Sequence, residues 1–475
     1  MTKVRTCLLA LLTASAIAIA PGQAHAQSLD DACDQASPSA ATCIGTDKLA
    51  EAAAAECRRA GVPDSDCTLP LGHEVAGRMV TDYQGTWVHR AAVFQYALGD
   101  SLPLGRTAWL GTHNSFNSVN ESPTPSHTDS NQQLSLTQQL DVDIRSLELD
   151  LHFFPSLSAG GSKTVVVCHA RGPDEENLGC TDEPTFAQVL PQIATWLKAH
   201  PSQVLLLYLE DELGDPGGYA QAIGTLNSVL RRPDGSSMIY RPSASQMTAK
   251  GCANLPLGVS RDDIRARGAQ VVIVGNCQPG WASDVYSWDD NHVESGSTPG
   301  YRAFPACDAT YPRAVYDSKL VRYYEDSTFV SAATDPTESP SDAHAQMLTP
   351  ERVADMTRCG VNLFGFDQLL PEDGRIAASI WSWADGQPDP SGGDCAAQGA
   401  DGRWLTRSCQ TRRSAACRTA TGWTVTPHAV PFEGAASACR ASGASFDLPR
   451  TGYENSQLRQ ATGAGAEVWL RYSLR

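Results

Sequence analysis

Ile144-Arg145-Ser146-Leu147-Glu148-Leu149-Asp150-Leu151 reads as one buried strand with charge on a single side. Successive strand residues point to opposite faces, so Leu147, Leu149 and Leu151 share one face while Glu148, Asp150 and the following His152 share the other. Two carboxylates on the inner face of a sheet repel each other and are costly to desolvate unless a cation neutralises them. A hard divalent ion answers that need, and calcium accepts six to eight oxygens, including amide carbonyls.

Outward from this run, 107–111, 165–168, 204–209, 271–274 and 361–366 are further short stretches rich in Val, Leu and Ile. Most are separated by segments long enough for a helix, such as 186–199. Continuous apolar runs of this kind are those of parallel strands buried on both faces, and the α/β barrel is the expected class. Active sites of such barrels lie at the C-terminal ends of the strands. Polar residues fall at those ends here: His113-Asn114 after 108–110, His169 after 165–167, Glu210 after 205–209 and Asp367 after 364–366. Asn114, Glu148, Asp150 and Glu210 form an oxygen-rich set suited to calcium.

In order along the chain, Thr112-His113-Asn114-Ser115-Phe116, Leu147 through His152 (LELDLH), Val165 through His169 (VVVCH) and Leu205 through Asp211 (LLLYLED) resemble the calcium-dependent phosphatidylinositol-specific phospholipase C family. The resemblance covers roughly residues 105–370 and implies an irregular TIM-like (β/α)8 barrel. Calcium-independent bacterial relatives carry His-Asp at the first position and an Arg in place of the metal, so Asn114 favours the metal-dependent branch. By the same resemblance, His169 is the general acid, and His113 stabilises phosphoryl charge or shares the base role with Glu148. Asp367 orients an imidazole, and Ca2+ sits on Asn114, Glu148, Asp150 and Glu210. Asp211 and Glu212 are neighbours able to exchange roles with Glu210, and Arg171 is a candidate phosphate contact. His152 is a candidate rim residue, the remaining histidines read as surface groups, and Trp281, Trp288 and Tyr323-Tyr324 are candidate rim aromatics. No counterpart is found for the basic residues that hold extra phosphates on polyphosphorylated inositol headgroups.

The remainder of the chain sets limits on the function. Lys3 and Arg5 precede the apolar stretch 7–20, and Ala24-His25-Ala26 supplies a cleavage pattern, so a secretory signal over 1–26 and an extracellular or periplasmic destination are expected. Among the fifteen cysteines, all but Cys7 fall after that leader. Cys33/Cys43, Cys57/Cys67, Cys168/Cys180 and Cys252/Cys277 read as local staples. Neither CxxC nor HExxH spacing occurs, which argues against zinc. The formal net charge of -17 disfavours nonspecific nucleic-acid binding and a polybasic membrane anchor. No later stretch reaches the ~18 apolar residues of a membrane span.

Composition divides the chain into a Cys-containing extension over 27–100 with a helix near 48–60, a barrel over 101–375, and a small unit over 376–475. In the last, Trp381 through Gly386, Cys395, Trp404, Cys409 and Cys417 resemble the second half of a C-type lectin-like domain. Gly422-Trp423, Phe432 through Cys439 and Val468-Trp469-Leu470 resemble its first half. The order is that of a circular permutation of an α+β fold, and the resemblance implies the pairs Cys395–Cys409 and Cys417–Cys439. Gln387-Pro388-Asp389 looks like a galactose-type triplet, but Trp404-Leu405-Thr406 stands where calcium ligands would. A stabilising or protein-binding role outweighs carbohydrate binding.

Three function classes follow. The first is a secreted, calcium-dependent phosphodiesterase acting on phosphatidylinositol-type headgroups at a membrane surface. The second is a glycerophosphodiester or sphingomyelinase-D-like enzyme, and the third a non-catalytic adhesin.

Overall fold

The run at 144–151 opens β1 (Ser146–Pro155), and its register shows why it is apolar on one side and charged on the other. β1 pairs in parallel with β3 (Leu205–Glu212), and β3 with β6 (Val271–Gly275). Leu147, Leu149, Leu151, Leu205, Leu207 and Leu209 pack with Phe186, Leu190 and Ile193 of the helix Phe186–Ala199. The alternate residues Leu206, Tyr208, Val272 and Val274 face the other way, against Trp109, Tyr286 and Trp288. Both faces of the central strands are therefore covered, as a parallel sheet requires.

This computed structural model describes residues 73–475 except 119–129, 157–158, 171, 174–176, 178–179, 181–183, 282, 297–299, 309 and 327–346. The expected leader, the helix near 48–60, the staples Cys33/Cys43 and Cys57/Cys67, and Arg171 lie outside the described residues.

The first sheet is completed by β2 (Lys163–Val167), β4 (Ile239–Tyr240), β5 (Ala253–Asn254) and β7 (Tyr286–Ser287), in the order β2-β1-β3-β6-β7-β5 with β4 beside β6. A second sheet holds β8 (His292–Gly296), β9 (Leu320–Tyr324) and β10 (Leu363–Gly365), all parallel. The predicted strand 107–111 is the link between the two sheets, not a ladder strand. Trp109 bridges Leu363, Gly111 bridges Ser146 and Thr112 bridges Phe366, each in parallel. A Cβ on Gly111 would lie 2.5 Å from the Phe364 carbonyl, so only glycine lets the link pass this close.

One predicted parallel strand runs the other way. β2 is antiparallel to the outer half of β1, with Leu151 opposite Val167. The apolar run 165–168 contains no information on direction; the short connection after β1 makes a hairpin, which brings the chain back along β1 to the level of Asp150, whose carbonyl accepts from Cys168 N at 3.1 Å.

The third sheet comprises β11 (Cys395–Gln398), β12 (Trp404–Arg407), β13 (Ser414–Arg418), β14 (Trp423–Val425), β15 (Ser445–Phe446) and β16 (Val468–Ser473). Its order is β12-β11-β16-β13-β14, with β15 beside β13. The helix Trp87–Leu98 packs on this C-terminal unit. Ala91 and Ala92 join Trp381, Trp383 and Trp404 in one apolar cluster, and the Gln95 carboxamide oxygen accepts from Trp381 N and Ser382 N at 2.6 and 3.0 Å. The compositional boundary near residue 100 thus lies beside a helix whose packing partners are almost three hundred positions away.

Disulfides join Cys168 to Cys180, Cys252 to Cys277, Cys395 to Cys409 and Cys417 to Cys439, as expected, and Cys307 to Cys359, a pair the spacing did not indicate. Among the described residues no helix is long and apolar enough to cross a membrane.

Candidate active site

The segment 112–118 turns sharply where the two sheets meet. Asn114 sits at φ +43°, a left-handed conformation that asparagine tolerates better than most side chains. The turn aims the Asn114 backbone N–H at Glu148 Oε2, 3.0 Å away, and leaves the neighbouring His113 imidazole 3.2 Å from Asp367 Oδ1. His113 and Asp367 are both buried. Burial pulls the His113 pKa down, but the Asp367 and Glu148 carboxylates outweigh it and raise it to about 9.

A chain of buried amides extends from Asp367. Asn131 Nδ2 donates to Asp367 Oδ2 at 2.9 Å, Asn117 Nδ2 donates to Asn131 Oδ1 at 2.6 Å, and the same Asn117 nitrogen lies 3.5 Å from His169 Nδ1. The direction of each bond is imposed by the one before it. A carboxylate can only accept, so Asn131 presents its nitrogen to Asp367 and its oxygen to Asn117, which then presents a donor to His169. His169 meets that donor with an unprotonated Nδ1, which puts its proton on Nε2.

Beside the histidines lie Glu148 and Asp150 on β1 and Glu210 on β3, with Asp150 directly opposite Glu210 in the ladder. One carboxylate oxygen from each falls within 4.8 Å of the others. Burial, then Glu210 and Glu148, hold the Asp150 pKa well above its usual range; burial and Glu148 push Glu210 up to about 7. Glu148 Oε1 is shielded from solvent and has no hydrogen-bond partner. The Asn114 amide is adjacent. With its nitrogen turned inward it donates to both Asp150 oxygens, at 3.1 and 2.8 Å.

Sequence reasoning missed Arg322. It lies on β9, is buried, hydrogen-bonds Glu148 Oε2 through one guanidinium nitrogen and reaches Glu294 Oε1 at 2.6 Å through another. Burial lowers its pKa, but Glu148 and Glu294 more than reverse this, and the group stays charged. Its signal was an arginine inside the apolar run Leu320–Tyr324. Asn117 and Asn131, also missed, gave no pattern; they are loop amides.

Of the sequence-predicted residues, His113, Asn114, Glu148, Asp150, His169, Glu210 and Asp367 are gathered in this one region. Asp211 is not part of it: its carboxylate accepts from Tyr219 OH and Trp281 Nε1, both at 2.8 Å. His152 is fully buried, not on a rim, with Nδ1 2.9 Å from Asn177 Oδ1. Trp281, Trp288 and Tyr323 are buried too, leaving Tyr324, whose ring centroid is 5.2 Å from that of His113, as the candidate rim aromatic. Three histidines read as plain surface groups are engaged: His89 lies 2.8 Å from Asp143, His200 stacks on Trp196 at 4.0 Å, and His292 stacks on Trp288 at 3.9 Å.

A cluster of buried acids on two parallel strands, with one histidine following the link between the sheets and another following the antiparallel β2, defines an α/β domain organised around one polar site. Residues 68–373, which contain that whole site, match the family described as the Rv2075c PI-PLC-like domain, and the chain belongs to this family. It is 55% identical over 468 residues to "Uncharacterized protein Rv2075c" of Mycobacterium tuberculosis, covering 98% of this chain and 96% of that one. The "PI-PLC X domain-containing protein At5g67130" of Arabidopsis thaliana is 27% identical over 123 residues, 25% of this chain and 26% of that protein. Among solved structures, the phosphatidylinositol-specific phospholipase C from Listeria monocytogenes aligns over 60% of this chain and 97% of its own, at 17% identity and a TM-score of 0.39. A calcium-dependent phosphoinositol-specific phospholipase C from Pseudomonas sp aligns over 59% of this chain and 93% of its own, at 14% identity and a TM-score of 0.31.

Proposed function

We propose that this chain is an exported, calcium-dependent phosphodiesterase that cleaves phosphatidylinositol-type phospholipids, the inositol 2-hydroxyl attacking phosphorus. The observation that carries this reading is the hydrogen-bonded path from His113 through Asp367, Asn131 and Asn117 to His169, running beside the acidic cluster. Two histidines in different protonation roles next to a cation site are what such a reaction needs: a hydroxyl loses a proton, charge builds on phosphorus, and a leaving alkoxide gains a proton.

His169, with its proton on Nε2, donates to the lipid alkoxide. His113, paired with Asp367 and carrying a pKa of about 9, is an imidazolium at neutral pH and donates to a phosphoryl oxygen. Glu148 Oε1, the oxygen with no partner, accepts the proton of the attacking hydroxyl. Arg322 holds the other oxygen of Glu148 and adds a fixed positive charge beside the phosphate.

The acidic cluster suits a hard cation: three carboxylates converge, and two of them have pKa values raised by burial and by neighbouring carboxylates. Glu148, Asp150 and Glu210 would hold Ca2+, with Asn114 joining after its amide turns its oxygen inward. When bound, the ion supplies Lewis-acid stabilisation of phosphoryl charge and lowers the hydroxyl pKa.

We read the linked parallel strands as an irregular (β/α)8 barrel and the third sheet as a permuted C-type lectin-like unit, the latter supported by the pairs Cys395–Cys409 and Cys417–Cys439. A stabilising or protein-binding role fits that unit better than sugar binding. The Gln387 carboxamide oxygen is occupied by Thr406 N and Oγ1, both at 2.8 Å, and Asp389 by Ser391.

The test is release of phosphorylated inositol from phosphatidylinositol vesicles by the mature protein, with calcium or with a chelator, beside the His113→Ala variant. Calcium-dependent release that the variant lacks is the expected result. Release of choline or glycerol headgroups in preference to inositol would move the chain to the second class of enzyme, and no release from any headgroup would leave the binding-protein reading.

A further inference from the structure

A cavity lies at the junction of the parallel-strand unit and the C-terminal sheet, with no lining residue in common with the acidic cluster or the two histidines. Its volume is about 560 Å³, and its walls include Phe304, Thr357, Arg358 and Trp381 together with Arg403 and Arg459. That volume falls within the range of small-molecule sites, roughly 300–1,000 Å³.

Three arginines and one carboxylate, Asp401, line this cleft, and two shielded donors among its lining residues have no partner. Arg403 Nη1 is shielded from solvent and has no hydrogen-bond partner. The nearby carboxylate Asp401 accepts from the Arg403 backbone N–H at 2.9 Å. Burial, and then the like charge of Arg358, push the Arg403 pKa down, against a weaker pull from Asp401. Arg358 is half exposed and has Asp355 at 3.6 Å, while Arg459 donates to the backbone carbonyls of Gly399 and Ala466 at 3.2 and 2.8 Å. Thr357, nine-tenths buried, has a hydroxyl with no partner. A shielded guanidinium facing another cation across a cavity is unfavourable unless an anion joins them, and the planar fork of arginine matches phosphate oxygens.

We propose that this cleft is an anion site for a phosphate-bearing ligand of sugar size, with Arg403 as the inner contact, Arg358 as the outer contact and the Thr357 hydroxyl as a further donor. A phospholipid headgroup and a free sugar phosphate share this chemistry. The site is separate from the proposed reaction, so its occupancy does not depend on turnover.

The experiment titrates the full chain calorimetrically with glucose 6-phosphate and, in a second arm, sediments it with phosphatidylcholine vesicles containing phosphatidic acid. Wild type, Arg403→Gln, Arg358→Gln and His113→Ala are compared. Binding weakened about tenfold in each arginine variant and unchanged in His113→Ala is expected, the loss of one charge-assisted contact. Loss confined to the vesicle arm identifies a lipid headgroup, and loss confined to the soluble arm a free phosphate ester. Should Arg403→Gln fail to fold, Arg358→Gln, whose side chain is half in solvent, decides alone. Absence of wild-type binding in both arms, or binding that His113→Ala loses and the arginine variants keep, overturns the proposal.

Discussion

Two buried asparagines, Asn455 beneath the C-terminal sheet and Asn114 beside the acidic cluster, differ in how fully they are used. Asn455 Oδ1 accepts from Gln398 Nε2 and Trp404 Nε1 at 2.8 and 2.9 Å, and its Nδ2 donates to the carbonyls of Trp381 and Gly402 at 3.1 and 2.9 Å. All four of its bonds are made, and they tie a helix, two strands and the junction together. Asn114 is held at a positive φ among carboxylates that repel one another, next to a Glu148 oxygen with no partner. A side chain with every bond made specifies architecture, whereas an orphaned oxygen among converging carboxylates marks where a ligand belongs. Removing a side chain should therefore cost folding in one region and chemistry in the other.

The largest effect is expected at His169. His169→Ala should lower turnover of phosphatidylinositol by about a thousandfold, the scale of a lost general acid, while calcium affinity and urea unfolding stay as in wild type. Single-turnover kinetics and calorimetry on the same preparation check this, and a parallel loss of calcium binding would break the division between the proton path and the cation site. Next is Asn455→Ala. It orphans the Trp404 donor and takes a donor from the Trp381 and Gly402 carbonyls, while Gln398 keeps its bond to the Asn455 carbonyl, and it should destabilise the chain by about 3 kcal/mol in urea unfolding, with calcium affinity unchanged. Asn131→Ala tests the path between the histidines more finely. Asn117 then loses the Asn131 oxygen that aims its amide nitrogen, and as its contact with His169 Nδ1 loosens, so does the hold on the Nε2 proton. The turnover rate should fall about tenfold with little change in KM, and Asn131→Asp, which keeps the acceptor for Asn117 and loses the donor to Asp367, should not restore it.

The sequence showed one half of this comparison better than the other. Glu148 and Asp150 alternate with leucines on one strand, so their shared face is local information, and His113, His169, Glu210 and Asp367 each end an apolar run. Arg322 was not legible as their neighbour: it lies 174 positions from Glu148, and only the register between sheets brings the two together. Asn117 and Asn131 belong to loops whose path no periodicity describes. The hairpin direction of β2 was hidden for a related reason, since an apolar run looks the same in either orientation. The pairs Cys168–Cys180 and Cys252–Cys277 were readable from their close spacing and those of the C-terminal unit from its resemblance, while Cys307 and Cys359 of the parallel-strand unit, 52 positions apart, and the docking of the helix Trp87–Leu98 onto Trp381 and Trp383 depend on tertiary packing alone.

The smallest effect, and the sharpest measure of how incomplete the acidic cluster is, lies in its pH dependence. Glu210 has its pKa raised to about 7, from an ordinary carboxylate value near 4.5, by burial and by Glu148. Between those values the folded, ion-free chain keeps a proton that the unfolded chain has lost. The resulting stabilisation is fully present below 4.5 and is lost as the pH rises through about 7. Ion-free protein should therefore melt at a lower temperature at about pH 7.5 than at about pH 5.5 on account of this group. Calcium acts in the opposite sense, because it replaces that proton: its affinity should rise with pH over the same window, and binding at about pH 6 should release about one proton from this group, read by calorimetry in buffers of different ionisation enthalpy. In Glu210→Gln both the proton release and the pH slope of the ion-free melt should shrink, while Asn455→Ala, though less stable, should keep both. If instead Glu210→Gln left the proton release intact, the titrating group would be elsewhere, and Glu210 would be as fully engaged as Asn455.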